Sequence, residues 1–346
     1  MIFTEGFGKW LLDDITPILA KWDGGNGSLS TQDSARYDKI PGRFSSTCIA
    51  KIQSYSISYS PKKVVTTDSH YILGMAFKIY GSAPTNAAQM FGTLNGTSRV
   101  LSLVMGTDSK IAVMVGTTTL TTLSNIFKAN RWSYIEVEHY LHATSGVINI
   151  WVNETLVYTF TGDTRGSTSF TNITAFDLWD TLNSGSSIAI DDLYYLTSTG
   201  LTLPWGDTHV KEFNPTSDVS NSGFTLSTGT DLYATINKPF TTATTPNVSA
   251  SVVDSQFLVD TTDVIGSATA NVKLVAFNIR AIKSDAGARN LAGVFHIGST
   301  DYVGTDTPLS AVDDLIYDPF LLSPATGIAW TKAEVEAMSF GAKVTV

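Results

Sequence analysis

The chain has 346 residues, of which 43% are apolar and 15% are charged, and its formal net charge is −9. Proteins that neutralise phosphate carry clusters of Lys and Arg, whereas here Lys62-Lys63 is the only adjacent basic pair, so direct binding to nucleic acid is excluded. No apolar stretch reaches the ~18 residues that a membrane helix needs, which excludes membrane insertion by a helix.

Residues 1–45 form an irregular N-terminal segment with short apolar patches, and we expect this segment to act as a docking arm. Its beginning, Met1-Ile-Phe-Thr-Glu-Gly-Phe7, lacks the basic region and the apolar run of a signal peptide. Cys48 is the only cysteine, so no intrachain disulfide can form. These features predict a protein that is made and kept in the cytosol until it is assembled.

From residue 46 onward, Ser, Thr, Asn and Gly are abundant, and apolar residues recur in short runs separated by turn residues. Threonine-rich runs favour strands over helices. The spacing predicts a jelly roll over residues 46–200, with long helices nearly absent before residue 331. The predicted strands include Tyr71–Ile79, Val100–Met105, Lys110–Val115, Trp132–His139, Val147–Val152, Leu156–Phe160, Ile173–Trp179 and Ile188–Leu196.

The predicted strand Trp132–His139 shows the alternation most clearly. Ile135 and Val137 share one face, which we assign to the core, and Glu136 and Glu138 share the other face with Trp132. The sequence therefore predicts a polar and aromatic outer surface on this strand.

A second domain is predicted over residues 201–346, after the break at Leu203-Pro-Trp-Gly-Asp207. Val272–Ile282 and Arg289–Ile297 are predicted to pair as a hairpin around a turn at 283–288. Thr331 has the capping-box spacing to Glu334 and predicts a short helix that runs through Met338. The predicted fold class is all-β: a jelly-roll sandwich, then a second β-sandwich with a short C-terminal helix.

Several motifs resemble a group of bacteriophage virion proteins. They are "IDDLYY" at 190–195 followed by "GDTHV" at 206–210, "KSDAGAR" at 283–289, "GSTDYVG" at 298–304, and "PATGIAWT" at 324–331. The resemblance implies a concanavalin-like or laminin-G-like jelly roll followed by a phage C-terminal β module. It also implies a structural role in the virion, in the tail or baseplate, with several copies assembled against other virion proteins and a homo-oligomer such as a trimer. A head-surface decoration protein and an adhesin that binds a host surface glycan are the alternatives.

Candidate catalytic residues are few. Glu136 and Glu138 have the spacing of paired glycosidase carboxylates, but the further acidic and aromatic residues of jelly-roll glycanases are missing. His139 and His142 would lie on opposite faces of a strand, and the sequence offers no further ligands to complete a zinc site. No nucleophile elbow or phosphate-binding loop is present. The sequence therefore predicts a protein that is not an enzyme, and a glycanase remains only the third hypothesis.

Two kinds of ligand site are left open by the sequence. Concanavalin-like sandwiches often hold a calcium ion at the rim, and the candidate ligands are Asp177, Asp180, Asp191 and Asp192. The alternative for Asp191 and Asp192 is that they end their strand by binding backbone amides. Candidates for stacking on a sugar are Trp132, Trp151 and Trp179, although tryptophans in a sandwich commonly belong to the core. No other cofactor is predicted.

Overall fold

The computed structural model divides the chain into two compact units, Met1–Val210 and Lys211–Val346. The structure describes residues 2–5, 25–26, 37–41, 43, 47–51, 60–81, 87–124, 126–180, 186–197, 204–237, 247–267, 269–311 and 314–346.

The regular elements of the first unit are almost all strands in its described part. These strands are β1 (Ile2–Glu5), β2 (Gly25–Asn26), β3 (Tyr37–Pro41), β4 (Thr47–Lys51), β5 (Ser60–Asp68), β6 (His70–Gly81), β7 (Ala88–Asn95), β8 (Ser98–Met105), β9 (Ile111–Val115), β10 (Thr118–Leu123), β11 (Trp132–Tyr140), β12 (Gly146–Val152), β13 (Thr155–Gly162), β14 (Ile173–Asp180) and β15 (Ser186–Thr197). Three of them, β1 to β3, lie within the segment 1–45 that we expected to be irregular.

The strands form two antiparallel sheets. The first sheet has the order β13-β12-β11-β6-β15-β4-β3, and β1 pairs with the end of β15. The second sheet has the order β10-β9-β8-β7-β14-β5-β2. Neighbours in the sheets are often distant in the chain, as in the pairing of β6 with both β11 and β15. This arrangement is the jelly-roll sandwich that the strand spacing predicted.

The core of the first unit consists of the side chains that alternate toward the space between its sheets. In β11, Ile135 and Val137 are fully buried in this core, as predicted, whereas Glu136 and Glu138 are on the opposite, outer face. β6 and β12 contribute in the same way through Leu73, Met75, Phe77, Ile148 and Ile150. Because the period of a strand is two residues, an apolar inner face leaves every second side chain of the first sheet on its outer face.

In its described residues, the second unit contains strands and two short helices. Its elements are β16 (Ser217–Ser222), β17 (Thr225–Leu226), α1 (Leu232–Ile236), β18 (Val248–Ser249), β19 (Gln256–Asp260), β20 (Val275–Ala281), β21 (Asn290–Ile297), β22 (Thr300–Val303), β23 (Thr307–Pro308), β24 (Asp314–Phe320), α2 (Lys332–Ala337) and β25 (Ser339–Val344). One sheet has the order β16-β19-β25-β21-β22, with β23 beside β21, while β17 pairs with β18 and β20 with β24. A separate core includes Phe257, Phe277, Phe295, Ile316 and Trp330.

The predicted hairpin of the second unit is wrong in its pairing. Strands β20 and β21 form close to the predicted positions, but β20 pairs with β24 over its whole length, and β21 pairs with β22 and β25. The apolar faces of both strands belong to one core, so their alternation alone could not show which strand lies beside which.

The C-terminal helix is confirmed. In α2 the side chain of Thr331 accepts a hydrogen bond from the backbone N–H of Glu334 at 3.2 Å, as the capping box predicts. The described residues contain no helix that is long and apolar enough to cross a membrane. The structure thus confirms the predicted fold class, which is all-β.

Candidate functional site

A continuous row of polar side chains crosses four strands on the outer face of the first sheet. His70 Nε2 lies 2.9 Å from Glu138 Oε1, and Asn149 Nδ2 donates to Glu138 Oε2 at 2.8 Å. Thr159 Oγ1 then donates to Asn149 Oδ1 at 2.7 Å. The row joins β6, β11, β12 and β13 and spans three strand spacings of ~4.8 Å, or about 14 Å. We call these four residues the polar row.

The polar row is accessible to solvent, and the carboxylate of Glu138 within it is charged. The side chain of His70 is 36% exposed and that of Glu138 is 18% exposed. The hydrogen bond from His70 lowers the pKa of Glu138, and a hydrogen bond from Asn149 lowers it further. Glu138 is therefore an ionised acceptor. The Nε2–H of His70 points toward it, and the lone pair of the ring is on Nδ1.

Tyr140 lies beside the polar row, directly opposite His70 in the pairing of β11 with β6. Its ring centroid is 5.1 Å from the ring of His70 and 5.8 Å from the ring of His142, on which it stacks. Tyr140 is half-buried and His142 is exposed. Two imidazoles and a phenol therefore meet at one end of β11.

Glu136, two residues before Glu138, is in a different environment. It is 1% exposed and accepts hydrogen bonds from the hydroxyl of Tyr194 and from the backbone N–H groups of Trp205, at 2.7 Å, and Gly206. Burial raises the pKa of this carboxyl. Because Glu136 is enclosed, it cannot act with Glu138 as a pair of catalytic carboxylates on a sugar.

The residues that enclose Glu136 belong to Pro204–Val210, which we call the covering segment. Its Trp205 ring lies 5.0 Å from Tyr194, over an apolar cluster on the outer face of the sheet. Its Val210 N–H donates to Asp192 Oδ1 at 2.9 Å, and its Asp207 N–H donates to Glu154 Oε1 at 3.3 Å. The covering segment therefore occupies the part of the face next to the polar row and bounds the row on that side.

The three candidate tryptophans have different positions. Trp151 is half-buried in β12, directly opposite Glu136 and two residues beyond Asn149, so it lies next to the polar row. Trp132 is half-buried and packs on the apolar cluster near Lys78. Trp179 lies in β14, and its side chain is outside the described residues.

The calcium candidates whose side chains the structure describes are engaged with protein groups. Asp177 is fully buried and is bound by Arg99 and by Gln89, whose Nε2 is 3.1 Å away. The described residues contain no group of three or more His, Cys, Asp or Glu side chains that could hold a metal ion. Asp180 lies in β14, and its side chain is outside the described residues.

Asp191 and Asp192 are fully buried near the end of the covering segment. Asp191 accepts from the backbone N–H of Arg43 at 3.0 Å, and the guanidinium of Arg43 lies 3.3 Å from Asp192. Burial, followed by the charge of Asp191, raises the pKa of Asp192. A guanidinium and backbone amides thus lie where a rim cation would be expected.

His139 and His142 are on opposite sides of the sheet, as predicted. His139 is fully buried in the core, where Nδ1 is 2.6 Å from the hydroxyl of Tyr71 and Nε2 is 2.9 Å from the carbonyl oxygen of Thr164. Burial lowers its pKa to about 4. It is a neutral structural residue, and no zinc ligand approaches it within the described part of the chain.

Sequence reasoning missed most of the polar row. His70 was an isolated histidine in the sequence, and Asn149 and Thr159 are ordinary strand residues. They meet because β6 pairs with β11 across a separation of more than 60 residues, in the register Tyr140 to His70. The strand alternation, which places Glu138 on the outer face, was the one sequence signal that could have located the polar row.

Neither a protein-family model nor a curated protein matches the chain. Among solved structures, the alginate lyase Aly36B has 10% identity and a TM-score of 0.45, covering 56% of this chain and 96% of the lyase. An endo-β-1,4-glucuronan lyase from Trichoderma reesei has 10% identity and a TM-score of 0.40, with coverages of 52% and 92%. The cellulose-induced protein Cip1 has 12% identity and a TM-score of 0.42, with coverages of 57% and 97%.

These comparisons correct two expectations. The resemblance to phage proteins implied a virion structural protein, and the sequence predicted that the chain is not an enzyme. Both predictions are wrong: the similar structures named above are two polysaccharide lyases and Cip1, not virion proteins, and no phage family matches the sequence. The β-sandwich part of the resemblance stands.

Proposed function

We propose that this protein binds a polysaccharide across the strands of its first sheet and cleaves it by proton transfer at His70. The observation that carries the proposal is the polar row, a preformed line of hydrogen-bonding groups that is open to solvent. The covering segment bounds the row beside Glu136, so a bound chain would run from β6 toward β13 and not along β11.

The composition of the surface suits a sugar chain. The carboxylate, amide and hydroxyl groups along the polar row can form hydrogen bonds with the hydroxyls of a polysaccharide. Ligand sites in proteins commonly combine apolar surface with a few well-placed polar groups. Tyr140 and Trp151 supply aromatic surface at the two sides of the row. Because the polar side chains already bind one another, little side-chain entropy is lost on binding.

His70 has the surroundings of a general base. Its Nε2–H faces an ionised carboxylate, which orients the ring and stabilises the imidazolium that forms when Nδ1 takes up a proton. Tyr140, in ring contact with His70, carries the hydroxyl that can return a proton to a leaving oxygen. Hydrolysis by two carboxylates fits less well, since Glu136 is enclosed.

A histidine side chain removes a proton from a sugar carbon only when a neighbouring carboxylate makes that proton acidic. The substrate is therefore a polymer that contains uronic acid units. The proton passes to His70 Nδ1, the electron pair of the broken carbon–hydrogen bond forms a carbon–carbon double bond, and the bond from the adjacent ring carbon to the glycosidic oxygen breaks. The leaving oxygen takes a proton from Tyr140, and the proton held by His70 then restores the Tyr140 hydroxyl, so one chain end is unsaturated and no water is consumed.

The test compares His70→Gln with the wild type on uronate polymers, beginning with alginate and glucuronan, the polymers in the names of the two lyases. We expect the wild type to release unsaturated products that absorb ultraviolet light. His70→Gln should lower kcat about 100-fold or more, as expected for loss of a general base. It should leave binding of the polymer nearly unchanged.

The matched control is His296→Gln in the second unit. His296 also pairs with a carboxylate, Asp301, at 2.6 Å, and its side chain is 32% exposed. This variant should retain full activity. Equal cleavage by wild type and His70→Gln would contradict the catalytic role, and a wild type that binds no polysaccharide would contradict the proposed function.

A further inference from the structure

His142 is held in one orientation by its own turn. Its Nδ1 lies 3.0 Å from the backbone N–H of Ser145, 3.2 Å from that of Thr144 and 2.9 Å from the hydroxyl of Ser145. Backbone N–H groups can only donate, so Nδ1 is an acceptor and the ring proton is on Nε2. The exposed end of this ring is therefore a fixed N–H donor.

His70 is held in the same tautomer. Its Nε2–H donates to Glu138, so the lone pair of the ring is on Nδ1, which can accept a proton. Both histidines contact the ring of Tyr140. One phenol is thus flanked by an imidazole that can accept a proton and by an imidazole that can donate a hydrogen bond.

The charges next to His142 leave this donor available. Asp163 interacts electrostatically with His142, and Arg165 binds Asp163 through two nitrogens at 2.8 and 2.9 Å. This pairing lowers the pKa of Asp163 to about 2. Glu138 is similarly paired with His70. Neither carboxylate competes directly for the Nε2–H of His142.

Removing a proton next to a carboxylate moves negative charge onto the carboxylate oxygens. An N–H donor aimed at those oxygens stabilises that charge without giving up a proton itself. We infer that His142 is the specificity-determining residue that binds the carboxylate of the sugar whose proton His70 removes. This inference rests on the proposed function and deepens it, because it assigns the choice between acidic and neutral sugars to one side chain.

The test measures binding of one uronate polymer and of the same polymer after chemical reduction of its carboxyl groups. The wild type should bind the uronate form more tightly. His142→Ala should weaken binding of the uronate form and lower kcat/KM by about 10-fold or more, the size expected for one hydrogen bond to a charged group. It should leave binding of the reduced polymer unchanged, and His142→Gln, which keeps an N–H donor, should recover part of the loss.

His296→Ala serves as the control and should match the wild type on both polymers. The inference is overturned if His142→Ala behaves like the wild type, or if it loses affinity equally for the uronate and reduced polymers. In both cases wild-type cleavage would leave the proposed function standing. A wild type that binds neither polymer would overturn the proposed function together with this inference.

Discussion

Neighbouring residues of β11 have opposite electrostatic roles because the strand alternates between the two faces of its sheet. Glu138 is partly exposed and ionised, whereas the adjacent His139 is fully buried and neutral, with both ring nitrogens in hydrogen-bond contact. The same period of two residues separates the site from the core. Substitutions of Glu138 should therefore affect function, and substitutions of His139 should affect stability.

His139 should make the first unit sensitive to acid. Its pKa is lowered from 6.5 to about 4 by burial, so between about pH 6.5 and pH 4 the unfolded chain binds a proton there and the folded chain does not. The free energy of unfolding should fall as the pH decreases from 6.5 to 4, with a loss of roughly 2 kcal/mol between pH 7 and pH 5 from this residue.

This loss can be followed by tryptophan fluorescence during urea unfolding, since all of the chain's 7 tryptophans except Trp330 precede residue 211. His139→Gln should be less stable than the wild type at pH 7, yet it should lose less stability between pH 7 and pH 5. An equal loss in both proteins would show that His139 does not contribute.

At the scale of elements, the covering segment depends on the acidic side chains beneath it. Glu136 accepts three donors, two of them backbone N–H groups of the covering segment. Buried donors that lose their acceptor cost about 1–3 kcal/mol each. The position of the covering segment, and with it the boundary of the polar row, is therefore set largely by Glu136.

Glu136→Ala should destabilise the first unit by about 3 kcal/mol or more and accelerate hydrogen exchange at the amides of Trp205 and Gly206. Glu136→Gln keeps a carbonyl acceptor and should have a smaller effect. Glu154→Ala is the control, because Glu154 is exposed and accepts one bond from the covering segment, at 3.3 Å. Unchanged exchange in Glu136→Ala would contradict this role.

The elements also show what the sequence could and could not predict. The alternation in β11 and the capping box of α2 are local patterns, and both were predicted from neighbouring residues. The pairing of β20 with β24, and the approach of His70 to Glu138, depend on which distant strands become neighbours. Single-sequence patterns carry almost no information on such long-range register, so the polar row could not be found before the structure.

At the scale of the whole molecule, each compact unit has its own hydrophobic core. Phe77, Ile135 and Phe176 belong to the core of the first unit, and Phe257 and Phe295 to that of the second. A unit that buries its own apolar surface has the main requirement for folding alone. The site that we propose is built entirely from residues of the first unit.

Separate chains of residues 1–210 and 211–346 should therefore each unfold cooperatively. The first chain should retain polysaccharide binding and cleavage, and the second should have neither. Calorimetry and the cleavage assay check both expectations. A chain 1–210 that folds but is inactive would show that the site needs the second unit.

The most direct test of the proposed function is to locate a bound uronate oligosaccharide on the protein by hydrogen exchange. The oligosaccharide should slow exchange in β6, β11, β12 and β13 around the polar row, and this protection should weaken in the variant His142→Ala. Protection confined to the second sheet of the first unit or to the second unit, with exchange in these four strands unchanged, would contradict the account.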